Sequence, residues 1–255
     1  MDNKPVKTTA PEKIGVNQTP ESSVGATAAQ AGYAYQLNVS VLAALRLLLI
    51  TKSATRITLE PANEEDLEAE LAPAEPGLVT PKATLAGGYK LIVQVKSRAG
   101  EPWSIEDFER LLNHGERRTP AKHHLDDLNT HYLLVTNADA KGVARRLLVS
   151  DFEENPDPLE FPPSLEKILP NKPEGRVAIW GGLTEQLIEF QIKEILSDLL
   201  RIPHSRILQC CERLREESLR RMRGSSPGVW ERDDLLATIR DHGGFLASAA
   251  ELAAF

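Results

Sequence analysis

The sequence predicts an α/β domain followed by a helical segment, and three observations carry that reading. Near the start, a helix-forming stretch is apolar around most of its circumference. In the middle, β-branched and alternating runs are separated by Pro- and Gly-rich turns. From Thr184 onward, apolar residues recur at helical spacing.

Residues 1–24 are rich in Thr, Pro, Lys and Ser without hydrophobic periodicity, and we expect a disordered leader there. From Gly32 the texture changes. Tyr33, Tyr35, Leu37, Val41, Leu42, Leu45, Leu48 and Leu49 predict a buried helix. A β-branched run, Thr55–Glu60, is stopped by Pro61, and Asp66–Leu71 alternates polar and apolar as a half-buried strand does. After a Pro/Gly-populated loop, Tyr89–Lys96 is the strongest strand in the chain. Ser104 with Asp107 predicts a helix N-cap, opening a helix through Phe108, Leu111 and Leu112 to Gly115. His131–Thr136 reads as another buried strand. A short helix (Val143–Val149) and a strand (Arg176–Trp180) extend the layer.

The later helices carry stripes at Leu187, Ile188, Ile195, Leu196, Leu199 and Leu200, then at Ile207, Cys211, Leu214, Ser218 and Met222. Gly224–Gly228 reads as a linker, and a last helical patch begins near Asp233. The expected organisation is therefore a leader to residue 24, an α/β domain over 25–182 and a helical extension over 183–223. Residues 224–255 would hold a linker and the start of a further helical or partner domain. The apolar ending at Phe255, without a helix stop signal, suggests a fragment or a tail that docks elsewhere.

The composition narrows the function. The chain has 255 residues, 41% hydrophobic, which suffices for a buried core. The net charge of −7 argues against a passive DNA-coating protein, because phosphate affinity comes from Lys and Arg. A nuclease remains compatible, since its metal site needs carboxylates. Two adjacent cysteines, Cys210 and Cys211, build neither a disulfide framework nor a zinc site. There is no signal-peptide pattern, and Val39–Ile50, interrupted by Arg46, is too short to span a bilayer. We expect a cytoplasmic protein with no membrane partner.

Phosphodiester hydrolysis needs a divalent cation on oxygen ligands, a positioned water and a positive group beside them. On the strand Leu91–Lys96, side chains alternate, so Ile92, Gln94 and Lys96 share a face. Same-face neighbours lie roughly 7 Å apart, which lets Gln94 touch a metal while Lys96 reaches the water or phosphate beside it. Upstream runs an acidic stretch: Glu60, Glu64, Glu65, Asp66, Glu68, Glu70 and Glu75. Glu68, Glu70 and Glu75 read as solvated. Asp66 and Glu60 sit where strands meet turns, the place for a metal-binding carboxylate.

Gly32-Tyr33-x-Tyr35-Gln36, then Glu60, Glu65-Asp66 and Gln94-Val95-Lys96, resemble a branch of the PD-(D/E)XK superfamily. That branch is the double-stranded DNA endonuclease domain of bacterial antiphage defence, associated with cyclic-nucleotide signalling and NTPase sensors and distantly similar to Mrr-type enzymes. The resemblance spans roughly residues 25–180 and implies a restriction-endonuclease-like core of helix, three strands, helix and strand. It implies Mg2+-dependent cleavage of duplex DNA, with Mn2+ as a substitute, in a homo-oligomer or beside a fused or associated sensor domain. By analogy Asp66 and Gln94 bind the metal, Lys96 assists the water, Glu60 gives a further ligand, and Gln36, Glu65 and Tyr33 line the site. Gln94 stands where many relatives carry Glu or Asp, which removes a negative charge, though the branch itself commonly shows Gln.

Other features are weaker. Arg98, Arg117, Arg118 and Lys122 follow the catalytic strand and are candidates for DNA-backbone contact. Arg213, Arg215, Arg220, Arg221 and Arg223 offer a grip on phosphates, but with Glu212, Glu216 and Glu217 interleaved they read as a solvated helix face. The histidines lack metal-ligand spacing, and Gly224-x-Ser226-x-Gly228 lacks the strand that a nucleophile elbow needs. No phosphate-binding Gly-rich loop exists. The rival readings are a nuclease for RNA or branched DNA, and a non-catalytic nucleic-acid-binding or assembly module.

Overall fold

The computed structural model describes residues 20–60, 66–72, 88–98, 100–114, 120–224 and 228–245, with side chains from Gln30 onward. Helix α1 (Pro20–Ala43) continues as a π-helix, Ala44–Ile50, into strand β1 (Ala54–Leu59). Next come β2 (Leu67–Leu71), β3 (Tyr89–Lys96), α2 (Ile105–Asn113), β4 (Thr130–Thr136), the one-turn α3 (Pro163–Glu166) and β5 (Val177–Trp180). The chain closes with α4 (Glu185–Glu194), α5 (Ile207–Met222), β6 (Gly228–Glu231) and α6 (Arg232–Asp241). The α/β class and the order helix, three strands, helix, strand are as expected.

The strands form one six-stranded sheet in the order β5-β4-β3-β2-β1-β6. β3, β4 and β5 are parallel, while β2, β1 and β6 continue antiparallel from β3. Alternation divides the core between two layers. Leu91, Val93, Val95, Leu133 and Val135 face a cluster with α1, α4 and α5. Ile92, Tyr132 and Leu134 face one with Phe108 and Leu112 of α2. Ser104 caps α2 through a reciprocal capping box with Asp107.

Three expectations change. α1 begins at Pro20, so residues 20–24 are helical rather than part of the leader; residues 1–19 lie outside the described residues. The run Ala26–Gln30, rich in helix-favouring Ala, extends the helix N-terminal to Gly32. The segment Val143–Val149 holds a 3-10 helix, Gly142–Leu147. Lastly, the helical extension does not stand apart. Leu196, Leu214, Met222, Trp230, Leu235 and Ile239 join the same apolar cluster as α1 and β1, and β6 adds a sixth strand beside β1 where a linker was expected. A Cβ on Gly228 would lie 2.4 Å from the Arg221 carbonyl oxygen, so glycine permits a close approach here.

Gln30–Ile50, at 21 residues and mean hydropathy 1.5, passes a membrane-span test by length and composition, but 67% of its apolar window is buried in the protein. Its apolarity is thus accounted for by core packing. Cys210 and Cys211 are free and buried, and burial pushes the Cys210 thiol up to about 12.

Candidate active site

The strand directions gather five chain segments at one edge of the sheet. β1 and β3 run toward this edge and end there at Leu59 and Lys96, while β2 starts from it after Asp66. The register aligns Gly228, Leu59, Leu67, Val93 and Leu133 in one row across the sheet. The next positions toward the edge are Glu60, Asp66 and Gln94. A backbone bond of 3.1 Å from the Glu60 N–H to the Asp66 carbonyl closes the β1–β2 turn. Glu60 holds φ +45°, a region non-glycine residues rarely occupy and one found at functional sites.

Asp66 is the centre of this corner. Its Oδ2 accepts the Val95 N–H at 2.6 Å and the Gln94 side-chain amide. Burial raises the Asp66 carboxyl above its ordinary value, opposed by the Val95 N–H, the Lys96 charge and the Gln94 amide. Glu60 is raised too, by burial and then by the Asp66 charge. Gln94 is buried on the same strand face as Ile92 and Lys96, and Lys96 is half-buried. Asp66, Glu60, Gln94 and Lys96 therefore come together as the sequence pattern anticipated.

The donor chemistry suits a hard cation. Two carboxylates and an amide oxygen offer the ligands that Mg2+ prefers, with no thiolate or imidazole among them. Among the described residues no group of three His, Cys, Asp or Glu is gathered for a metal, so a cation held here would take a further oxygen from Gln94. Its amide nitrogen now faces Asp66, and half a turn about the last side-chain bond would present Oε1. Glu64 and Glu65 lie outside the described residues.

The flanking candidates divide. Tyr33 belongs to the corner: burial raises its hydroxyl, Glu60 raises it further, and Arg223 beside it acts in the opposite sense. Gln36 is half-buried on α1, and its side chain makes no hydrogen bond among the described residues. Glu68 and Glu70 hold cross-strand ion pairs, with Lys90 at 3.0 Å and with Arg56, respectively. Glu75 falls outside the described residues.

Arg98 is engaged within the protein. It pairs with Asp107 at 2.9 Å, lies 4.8 Å over Trp103, and its N–H donates to Asn137 Oδ1 at 2.7 Å. Arg117 and Arg118 lie outside the described residues. Lys122 is at the opposite edge. It donates to Asn113 at the end of α2, in the 3-10 turn that leads into β4 near the start of β3. Six strand steps separate Lys90 from Lys96, about 20 Å. Closeness in sequence misled here because the crossover through α2 returns the chain to the far edge.

Arg223, weighed in the sequence as one of several arginines on a solvated helix face, is set beside Tyr33. Its position depends on the β1–β6 pairing, for which the short segment Gly228–Glu231 carries no strong local signal.

No protein-family model and no curated relative matches the sequence. Solved structures do. The Cap4 SAVED/CARF-domain containing receptor of Moraxella osloensis is similar at 12% identity and TM-score 0.50, over 83% of this chain and 48% of that one. The corresponding Acinetobacter baumannii receptor is similar at 14% identity and TM-score 0.47, over 83% of this chain and 46% of that one. The chain thus spans about half the length of these proteins. At such identity, the likeness to the Moraxella receptor speaks for the fold alone.

Proposed function

We propose that this chain is a metal-dependent endonuclease of the PD-(D/E)XK type, hydrolysing phosphodiester bonds of double-stranded DNA. The observation that carries the reading is the meeting of Asp66 with Gln94 and Lys96 at one sheet edge, with Glu60 in the same corner. Two pairs of residues distant from each other in sequence, Glu60 with Asp66 and Gln94 with Lys96, meet at a half-buried, acidic, oxygen-lined corner with a lysine beside it.

In this reading Asp66, Glu60 and the Gln94 carbonyl hold Mg2+ or Mn2+, which supplies Lewis-acid polarisation of the phosphate and acidification of a bound water. Lys96 holds its ammonium where an attacking water or a phosphate oxygen comes to lie, and its charge already favours the ionised Asp66 carboxylate. The Val95 N–H fixes the carboxylate's orientation. Gln94, as a neutral ligand, leaves the site less anionic than a three-carboxylate one. Cation affinity then depends on Glu60 and on Glu64 or Glu65.

The wider setting is also proposed: cytoplasmic antiphage defence, with activity released by oligomerisation or by an associated sensor. The sequence motifs support it. The test is cleavage of linear duplex, single strands, RNA and four-way junctions with Mg2+ or Mn2+, by the parent chain and by Lys96→Ala. Duplex degradation that needs metal and disappears in the variant is expected. Cleavage that survives Lys96→Ala moves the chemistry elsewhere. The gathering of fewer than three His, Cys, Asp or Glu among the described residues favours one rival, a non-catalytic module. That rival predicts no Mg2+-dependent stabilisation.

A further inference from the structure

The catalytic reading leaves unused a cation that the fold delivers to the same corner. Arg223 is the C-cap residue of α5, exposed, with its N–H bonded to the Leu219 carbonyl at 3.1 Å. Two features set its place. The pairing of Leu59 with Gly228 brings the start of β6 to the end of β1, one residue before Glu60. The bare Cα of Gly228 lets β6 close directly on Arg221.

The other arginines of α5 are engaged. Arg213 and Arg220 pair with Glu217 at 2.8 Å. Arg215 donates to Asn38 at 2.7 Å and pairs with Glu189 at 3.1 Å. Arg221 donates to the Val229 carbonyl, pairs with Asp234 at 3.1 Å and lies 4.2 Å over Trp230. Arg223 has no ion pair among the described residues and stands beside Tyr33, whose hydroxyl also feels the Glu60 charge. A guanidinium at an exposed helix end, next to a phosphodiesterase corner, matches a backbone phosphate in charge and geometry.

We propose that Arg223 contacts a backbone phosphate of the bound DNA near the end of β1, beside Tyr33, so that the C-terminal segment completes the substrate surface. This rests on the nuclease reading and adds a residue to it. Tyr33, whose hydroxyl lies 4.0 Å from the Met222 sulfur, stands beside Arg223. The residue binds substrate and takes no proton, so Arg223→Lys should keep part of the effect and Arg223→Gln none.

The experiment measures affinity of the full chain for a short fluorescent duplex over a range of salt in EDTA, then kcat/KM for its cleavage with Mg2+. The variants are Arg223→Gln, Arg223→Lys and, as a control on the same helix, Arg220→Gln. Arg223→Gln should reduce the slope of log affinity against log salt by about 0.9, the release expected for one phosphate contact. The loss should be equal across unrelated sequences. Its kcat/KM should fall about tenfold, with Tm unchanged, while Arg220→Gln should follow the parent. An unchanged salt slope in Arg223→Gln, with the parent binding and cutting duplex, overturns this inference and spares the nuclease reading. A lowered Tm in both Arg223 variants assigns a structural role and overturns it too. A parent that neither binds nor cuts duplex, at concentrations that force oligomers, removes the nuclease reading and this inference with it.

Discussion

Asp66 separates a functional carboxylate from a structural one, because two replacements should part company in stability and agree in activity. Asp66→Ala deletes the acceptor of the Val95 N–H and of the Gln94 amide. Leaving one such buried donor unpaired costs about 1–3 kcal/mol. At about 2–4 °C per kcal/mol for a chain of this size, Tm should fall by about 2–12 °C. Asp66→Asn keeps an oxygen for Val95 and, once the Gln94 amide turns, donates to its oxygen. It also removes a charge that burial disfavours, as the raised carboxyl of Asp66 indicates. Without metal, Asp66→Asn should therefore be at least as stable as the parent at neutral pH. On the proposed nuclease reading, both variants lose a cation ligand. Electrophilic stabilisation by the cation is worth several kcal/mol, and at 1.36 kcal/mol per decade cleavage should fall by about two to three decades or more. Thermal unfolding in EDTA and then in saturating Mg2+ completes the comparison. Mg2+ at a hundred times its Kd stabilises by about 2.7 kcal/mol, and the parent alone should show that gain. Full activity in Asp66→Asn, or equal destabilisation by both replacements without loss of a Mg2+ response, would refute the assignment.

Two further outcomes follow from the geometry. His131 is buried against Tyr89, with ring centroids 4.3 Å apart. Burial, and behind it the Arg176 charge, hold its imidazole down at about 4 against an ordinary 6.5. The unfolded chain takes up a proton that the fold refuses, so this contribution is complete above about pH 6.5 and is lost as pH falls toward about 4. The 2.5-unit gap amounts to about 3 kcal/mol; urea unfolding of His131→Phe should show a flatter acid limb, and parallel profiles would contradict it. Lys122→Ala should leave duplex affinity and its salt slope at the parent's values, because Lys122 lies at the far edge of the sheet; a slope reduced by about 0.9 would return it to the DNA surface.

Much of the site was legible in the sequence because it is written in local patterns. The alternation along Tyr89–Lys96 already placed Gln94 and Lys96 on one face, and the strand spans those residues without a shift. The Ser104 capping box and the apolar helix were equally local, resting on three- and four-residue spacings. Asp66 was recognisable as a carboxylate at a strand entrance. Its contact with Gln94 and Val95, however, exists only through the register that pairs Leu67 with Val93.

Spacing along the chain could not decide which distant segments share an edge. Lys122 follows β3 in sequence yet lies at its opposite end, since a crossover must return the chain before a parallel strand can begin. Arg223 is far from Tyr33 in sequence and beside it in space, on a helix that leads to a four-residue strand whose pairing with β1 has no local signature. The chain's own residues thus determined the elements and the chemical character of the corner, because propensity and alternation act between near neighbours. The tertiary structure alone decided the neighbours of that corner, because strand pairing and burial join residues that the sequence keeps apart.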